Sequence, residues 1–195
     1  MGVNSFYDYQ DLHKHSRGGV GFEAITDRGL EARINTYIRI SGERLVGEDF
    51  LNKYYEKVAN GFDWELGLPL PYIPSVKVYG GGSWYDFEHF KNKMGWKLRA
   101  EFTPMKYSRL DFIVSDDNKD DNGVNYGFEG ALTLAFTSFS PREIMNDITS
   151  AAKTAYPKTN LQDRVLDRVV RDFNITVIES TVSKGTGFTV EGASK

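Results

Sequence analysis

From Val3 to Phe136 the chain alternates apolar and polar residues in units about ten residues long, and this period of two constrains the fold more than any other feature. It is the signature of a β-strand with one face in each of two environments. The clearest unit runs from Leu30 to Ser41. Leu30, Ala32, Ile34, Thr36, Ile38 and Ile40 fall on one face, and Glu31, Arg33, Asn35, Tyr37, Arg39 and Ser41 on the other. Phe62, Trp64, Leu66 and Leu68 repeat the pattern, as do Trp96, Leu98, Ala100 and Phe102, and again Tyr126, Phe128, Leu132, Leu134 and Phe136. Fainter units at Val3–Tyr9, Val20–Thr26, Val76–Tyr85 and Ser108–Ser115 bring the expected number of strands to eight.

Alternation alone does not say whether the apolar face meets a soluble core or lipid, so the connections become the discriminator. Asp27-Arg28-Gly29, Pro69 to Ser75 and Thr103 to Tyr107 are compact and rich in turn formers. Gln10 to Arg17, Gly42 to Asn60, Asp86 to Lys93 and Asp116 to Gly123 are longer and mostly polar. Short and long alternate, as in an up-and-down transmembrane β-barrel with tight turns on one side and larger loops on the other. Aromatics at strand ends, among them Tyr7, Tyr9, Trp84, Tyr85, Trp96, Phe102, Tyr107 and Phe136, suit interfacial girdles. The charged face, with Glu23, Glu31, Arg33, Arg39, Asp63, Glu65, Lys77, Lys97, Arg99, Glu101, Asp111 and Glu129, then points into a lumen. Its mixed signs predict an ion-pair lattice. The alternative is a soluble β-barrel that binds a small ligand and buries the even-numbered aromatics.

Composition removes other classes. A net charge of -3 with interleaved signs leaves no footprint for nucleic acid, and the absence of cysteine excludes thiol chemistry, disulfides and thiolate metal sites. No stretch is apolar enough for a spanning helix. The start, Met1 to Tyr7, has neither the basic nor the apolar region of a signal peptide, which predicts a piece of a longer reading frame.

After the strands, Ser140-Pro141-Arg142-Glu143 reads as a capping box, followed by a stripe of Ile144, Ile148, Ala151, Ala152 and Ala155 that ends at Tyr156-Pro157. A second helix is expected from Thr159, with Leu161, Val165, Val169 and Phe173 on one side. Ile175 to Val182 reads as extended and Lys184 to Lys195 as a flexible tail. Amphipathicity leaves two placements open for the helical pair, inside the lumen or packed at its periplasmic side.

Several local patterns carry little chemistry. Asn118, Asp120, Asn122, Gly123 and Glu129 approach a calcium loop, but asparagine replaces the first aspartate and the flanks read as strands, so a solvated hairpin loop is expected. His13, His15, Asp8 and Asp11 form a polar group at a loop base with no identifiable third ligand. They are also the only candidates for an outer-membrane hydrolase. Gly80-Gly81-Gly82 lies within a strand and reads as a bend or a close approach, not a phosphate loop. No catalytic, cofactor-binding or metal-binding residue is assigned, no cofactor is expected, and the chain is expected not to be an enzyme.

Three runs carry a family likeness. Asn4-Ser5-Phe6-Tyr7-Asp8-Tyr9, His15 to Ala24 and Ala32 to Ser41 resemble the β-domain of inverse autotransporters, the intimin and invasin family. Tyr55 to Asp63, followed by Leu68-Pro69-Leu70-Pro71-Tyr72-Ile73-Pro74, is similar to a loop and turn of that family. The likeness continues through Glu101-Phe102-Thr103-Pro104 and Asp167 to Val177, the latter like the start of the family's linker. The resemblance implies a Gram-negative outer-membrane barrel of about twelve strands whose C-terminal side threads the pore and presents an adhesive passenger. Implied partners are outer-membrane lipid, the barrel assembly machinery, whose terminal-strand signal Phe136 resembles, and a fused or lost extracellular adhesin. The expected organisation is all-β: barrel strands over 1–138, a short α-helical segment over 139–173 at or in the pore, and an extended linker over 174–195.

Overall fold

The computed structural model of the chain describes residues 1–88, 90–105, 108–119, 123–132, 154–161, 169–184 and 189–192. Its main element is an antiparallel sheet of eight strands: β1 (Gly2–Gln10), β2 (His15–Ile25), β3 (Glu31–Arg39), β6 (Asn60–Leu70), β7 (Ile73–Asp86), β8 (Lys93–Met105), β9 (Ser108–Asp117) and β10 (Asn125–Leu132), hydrogen-bonded in that order. These are the eight strands the alternation marks. A second, four-stranded sheet runs β12-β11-β5-β4, from β4 (Arg44–Glu48), β5 (Asn52–Val58), β11 (Val177–Ser183) and β12 (Thr189–Gly192).

Register turns the alternation into two unlike faces. Ala24, Ala32, Leu66, Gly80, Leu98, Val114 and Tyr126 follow one another across seven strands, and Leu68, Val78, Ala100, Phe112 and Phe128 make a second apolar row. Both rows point outward. Trp64 is 42% exposed, Trp96 43% and Phe128 71%, whereas Glu31, Glu65, Arg99 and Asp111 on the other face are buried. The soluble-barrel alternative, which needs the even-numbered aromatics inside, is overturned here. An uncharged surface of this extent is suited to lipid rather than water.

The sheet is not closed. Among the described residues β1 pairs only with β2 and β10 only with β9, so the eight strands, expected as part of a barrel, form an open wall with two free edges. At one end of the strands the connections are tight. Gly29 takes the left-handed conformation, φ +83°, in a turn closed by Thr26 N–H to the Leu30 carbonyl at 2.9 Å, and Pro71-Tyr72 alone joins β6 to β7. At the other end the expectation of four long loops needs correction twice. The β1–β2 connection is only Asp11–Lys14, because His15 to Gly19 join the ladder opposite Gln10 to Phe6. Gly42 to Asn60 is not a plain loop but holds the β4–β5 hairpin. That hairpin survives because β11 arrives from the far end of the sequence to pair with it, Val177 opposite Val58 through Ser183 opposite Asn52.

The expected helical segment is not supported where it is described. Residues 154–160 and 169–176 contain no helix, and 140–153 and 162–168 lie outside the described residues. Around 170–172 the reason is visible: side chains of the wall take the backbone groups that a helix would spend on its own ladder. The tail expected to be flexible includes strand β12 against β11.

Candidate functional site

The polar face carries two bands of side chains. The first lies toward the tight turns. Arg99 on β8 donates to both oxygens of Glu65, at 3.1 and 2.7 Å, and its Nη1 reaches Glu101 at 2.9 Å and Asp111 at 3.0 Å. Arg33 on β3 donates to Glu23 at 2.6 Å, to Glu65 at 3.2 Å and to Glu31. Lys77 meets Glu31 at 2.7 Å, Lys97 lies 3.7 Å from Glu65, and Arg109 lies 2.8 Å from Asp111. Five acids thus face five bases. The Tyr79 ring sits beneath both guanidiniums, 3.7 Å from Arg99 and 5.5 Å from Arg33, and its hydroxyl donates to Glu31. It can lie flat because Gly67 is opposite; a Cβ there would fall 2.1 Å from the ring. Charges buried in this way persist only when each is matched, and here Glu31, Glu65, Glu101, Asp111, Arg33 and Arg99 each meet more than one partner.

The second band lies toward the long loops and is aromatic. Phe6, Gly19, Tyr37, Gly61 and Tyr85 succeed one another across β1, β2, β3, β6 and β7, so that rings alternate with glycines that leave room for them. Phe6 and Tyr37 stand 5.6 Å apart, and Tyr37 stacks on Tyr85 at 6.0 Å. Arg17 lies 4.1 Å over Tyr37 and donates to Asp8 at 3.1 Å.

The C-terminal segment completes this second band. Arg17 donates to the Asp172 carbonyl at 2.7 Å, Asn35 to the Val170 carbonyl at 3.2 Å, and the Asp172 N–H to the Tyr37 hydroxyl at 2.9 Å. The Tyr37 hydroxyl in turn donates to Asp63, and Tyr85 donates to the Asp172 carboxylate at 3.0 Å. Arg171 reaches Asp8 at 2.7 Å and lies over Phe6 and Phe173. Beyond it, Ile178 on β11 closes an apolar cluster with Tyr37, Ala59, Tyr85 and Phe87. Earlier in the segment, Tyr72 donates its N–H to the Ala155 carbonyl at 3.0 Å and Thr159 donates to the Asp27 carbonyl at 2.8 Å. Residues 155–159 therefore sit at the tight-turn end and residues 170–184 at the long-loop end. Of the two placements left open by sequence, the contacts of 170–172 are with the polar face of the wall.

Beyond the end of β7, Glu88 has its carboxyl held below the usual carboxylate range by the Lys57 and Arg39 side chains, with ion-pair contacts of 2.6 and 3.0 Å. In the β4–β5 turn, Asp49 is held low by the Tyr54 hydroxyl and by the N–H groups of Asn52 and Leu51.

The chain matches the family model described as "Inverse autotransporter, beta-domain" over residues 1–172. The chain belongs to that family. An inverse autotransporter β-domain is an outer-membrane domain of Gram-negative bacteria in type V secretion, a translocator and anchor. A solved chain from work on the in-meso crystallization of membrane proteins is similar in fold, with a TM-score of 0.67 at 19% identity over 90% of this chain and 72% of that one. No curated protein matches.

Sequence reasoning placed most of the first band of this inverse autotransporter domain. It missed Arg109 there, and it missed Asp8 and Arg17 in the second band. Arg39 turns to Glu88 and Asp63 to Tyr37 and Asn35, so neither joins the first band. The side chain of Glu129 and residues 120–122 lie outside the described residues. Of the calcium-like loop, Asn118 spends its side chain on Met94 N–H and the Asn92 carbonyl. His13 and His15 come together on Glu56 of β5, a residue 43 and 41 positions away that no local motif announces. Asp8 turns away to Arg17 and Arg171, so it does not join the two histidines.

Proposed function

We propose that the chain forms the lumen-lining wall of a transmembrane barrel that anchors an intimin- or invasin-like inverse autotransporter, and that residues 169–184 are the exit strand leading to a surface-displayed adhesin. One observation carries the reading: Tyr37, Asn35 and Arg17 of the wall grip the backbone of residues 170–172. A passing strand held by its carbonyls and N–H groups is tied to the wall whatever passenger follows. Supporting it, 155–159 contact the tight turns and 176–184 the long-loop hairpin, the direction expected of a segment leaving the periplasm. A spanning wall has no unpaired edges in lipid, so the free edges of β1 and β10 are paired in the membrane. Insertion by the barrel assembly machinery belongs to the same reading; the terminal aromatic Phe136 lies outside the described residues.

The native absence of cysteine makes the test clean. Asn174→Cys and Lys158→Cys variants are displayed in a Gram-negative outer membrane and treated with a membrane-impermeant maleimide. Asn174→Cys is expected to label on intact cells and Lys158→Cys only after the outer membrane is permeabilised. Labelling of Lys158→Cys on intact cells, or no labelling of Asn174→Cys there, overturns the proposed direction of threading.

A further inference from the structure

We propose that His13, His15 and Glu56 form a binding site for a zinc-class divalent cation that fastens the β4–β5 hairpin to the rim of the wall. His13 Nδ1 and His15 Nε2 lie 2.7 and 2.8 Å from the same oxygen, Glu56 Oε2, and the three ligand atoms all fall within 4.8 Å of one another. Two neutral imidazoles and one carboxylate are a donor set suited to zinc and its neighbours, and a fourth position falls to water or to the second Glu56 oxygen.

The arrangement is more than a surface ion pair. The His15 side chain is fully buried and Glu56 is 12% exposed, while His13 at 29% leaves one side open for an ion to arrive. Among the described residues one polar contact fixes the buried ring of His15: its Nδ1 has no hydrogen-bond partner there, and its Nε2 is aimed at Glu56. Tetrahedral zinc, with bonds of about 2.0–2.2 Å, sets its ligand atoms about 3.4 Å apart. A cation therefore needs the two N···O contacts, at 2.7 and 2.8 Å, to open by about 0.6–0.7 Å, within the reach of side-chain rotation at the partly exposed His13. On binding, each neutral imidazole keeps its proton but carries it on the other ring nitrogen, Nε2 of His13 and Nδ1 of His15, so that the nitrogen now directed at Glu56 offers its lone pair to the cation.

The position gives the site a mechanical role. His13 stands in the β1–β2 turn and His15 begins β2, so both belong to the wall, whereas Glu56 belongs to the hairpin. Glu56 lies directly opposite Glu179 on β11 and opposite Arg44 on β4. A cation held by all three ligands ties wall, hairpin and the strand paired to it at one point.

The test uses the whole chain folded in detergent micelles, without an affinity tag, and titrates Zn²⁺ by calorimetry, with Co²⁺ absorption as a coordination readout. One equivalent is expected to bind, with the intense visible absorption of four-coordinate Co²⁺. Loss of a group behind a ligand costs about 10–100-fold in affinity, so loss of a ligand should weaken binding at least about 100-fold in His13→Gln and in Glu56→Gln. His13 is partly exposed, so His13→Gln tests the site even if the Glu56 variant misfolds, and heat-dependent gel mobility reports folding of each. Folded protein that binds no Zn²⁺, or binds it equally well with His13→Gln, overturns the site.

Discussion

The two bands on the polar face solve one problem in different ways. Toward the tight turns, Arg99, Arg33 and Lys77 are matched by acids of the wall itself, and no residue of the described C-terminal segment takes part. Toward the long loops, Arg17, Asn35, Tyr37 and Tyr85 spend their polar groups on residues 170–172. One band is finished when the strands pair. The other is finished only when the chain's own C-terminal segment lies against it. A wall of strands can thus be braced where it only needs to stand, and left with open hydrogen-bonding valence where something must be held.

The most severe way to break this comparison is Arg99→Ala. It leaves Glu65, Glu101 and Asp111 without their shared partner, and loss of one member of a buried ionic network costs about 3–5 kcal/mol. Urea unfolding in lipid vesicles is expected to show this loss equally in the full chain and in a chain ending at residue 168. A penalty that shrinks on truncation would mean that the first band also depends on the C-terminal segment.

Tyr37→Phe sharpens the contrast from the other side. It removes the hydroxyl that joins Asp63 to the Asp172 N–H, and a buried group left unpaired costs about 1–3 kcal/mol. Here part of the penalty should vanish in the chain ending at residue 168, because the Asp172 N–H is no longer there to be orphaned. Limited proteolysis should also cut the full-length variant faster after residue 169. An unchanged cleavage rate would mean that the segment is held without Tyr37.

The smallest effect belongs to Glu88, outside both bands. Its carboxyl is held low by Lys57 and Arg39, so the stability it contributes is present above its unfolded value and is lost as pH falls through the depressed folded value. Glu88→Gln should cost about 0.5 kcal/mol at neutral pH, as solvent-exposed pairs do, and nothing in strong acid. Equal loss at both pH values would show that the side chain matters for packing and not for charge.

Legibility differed by scale. Strands β3, β6, β8 and β10 were readable because alternation is local and survives without knowledge of neighbours. The ion-pair lattice was readable as a face, though not as pairs: that Arg99 bridges three acids depends on the register of β6, β8 and β9. The β4–β5 hairpin was read as a loop because Arg44–Glu48 is short, lies in a mostly polar stretch and becomes a strand only with β5 beside it and β11 beyond. The helical pattern near Thr159 failed at 169–173 for a comparable reason, since Tyr37, Asn35 and Arg17 outbid the backbone's own ladder. Glu56 as the partner of His13 and His15 was invisible, because 41 and 43 residues separate them and contact was made by the hairpin folding back.

Sequence alone determined the eight strands of the wall, their two faces and the sign balance of the charged one, because those follow from side-chain chemistry repeated at a period of two. Tertiary structure alone decided which arginine met which acid, and that β11 would pair with the hairpin at the long-loop end. Those outcomes depend on register and long-range pairing, whose energies are shared among residues far apart in the chain.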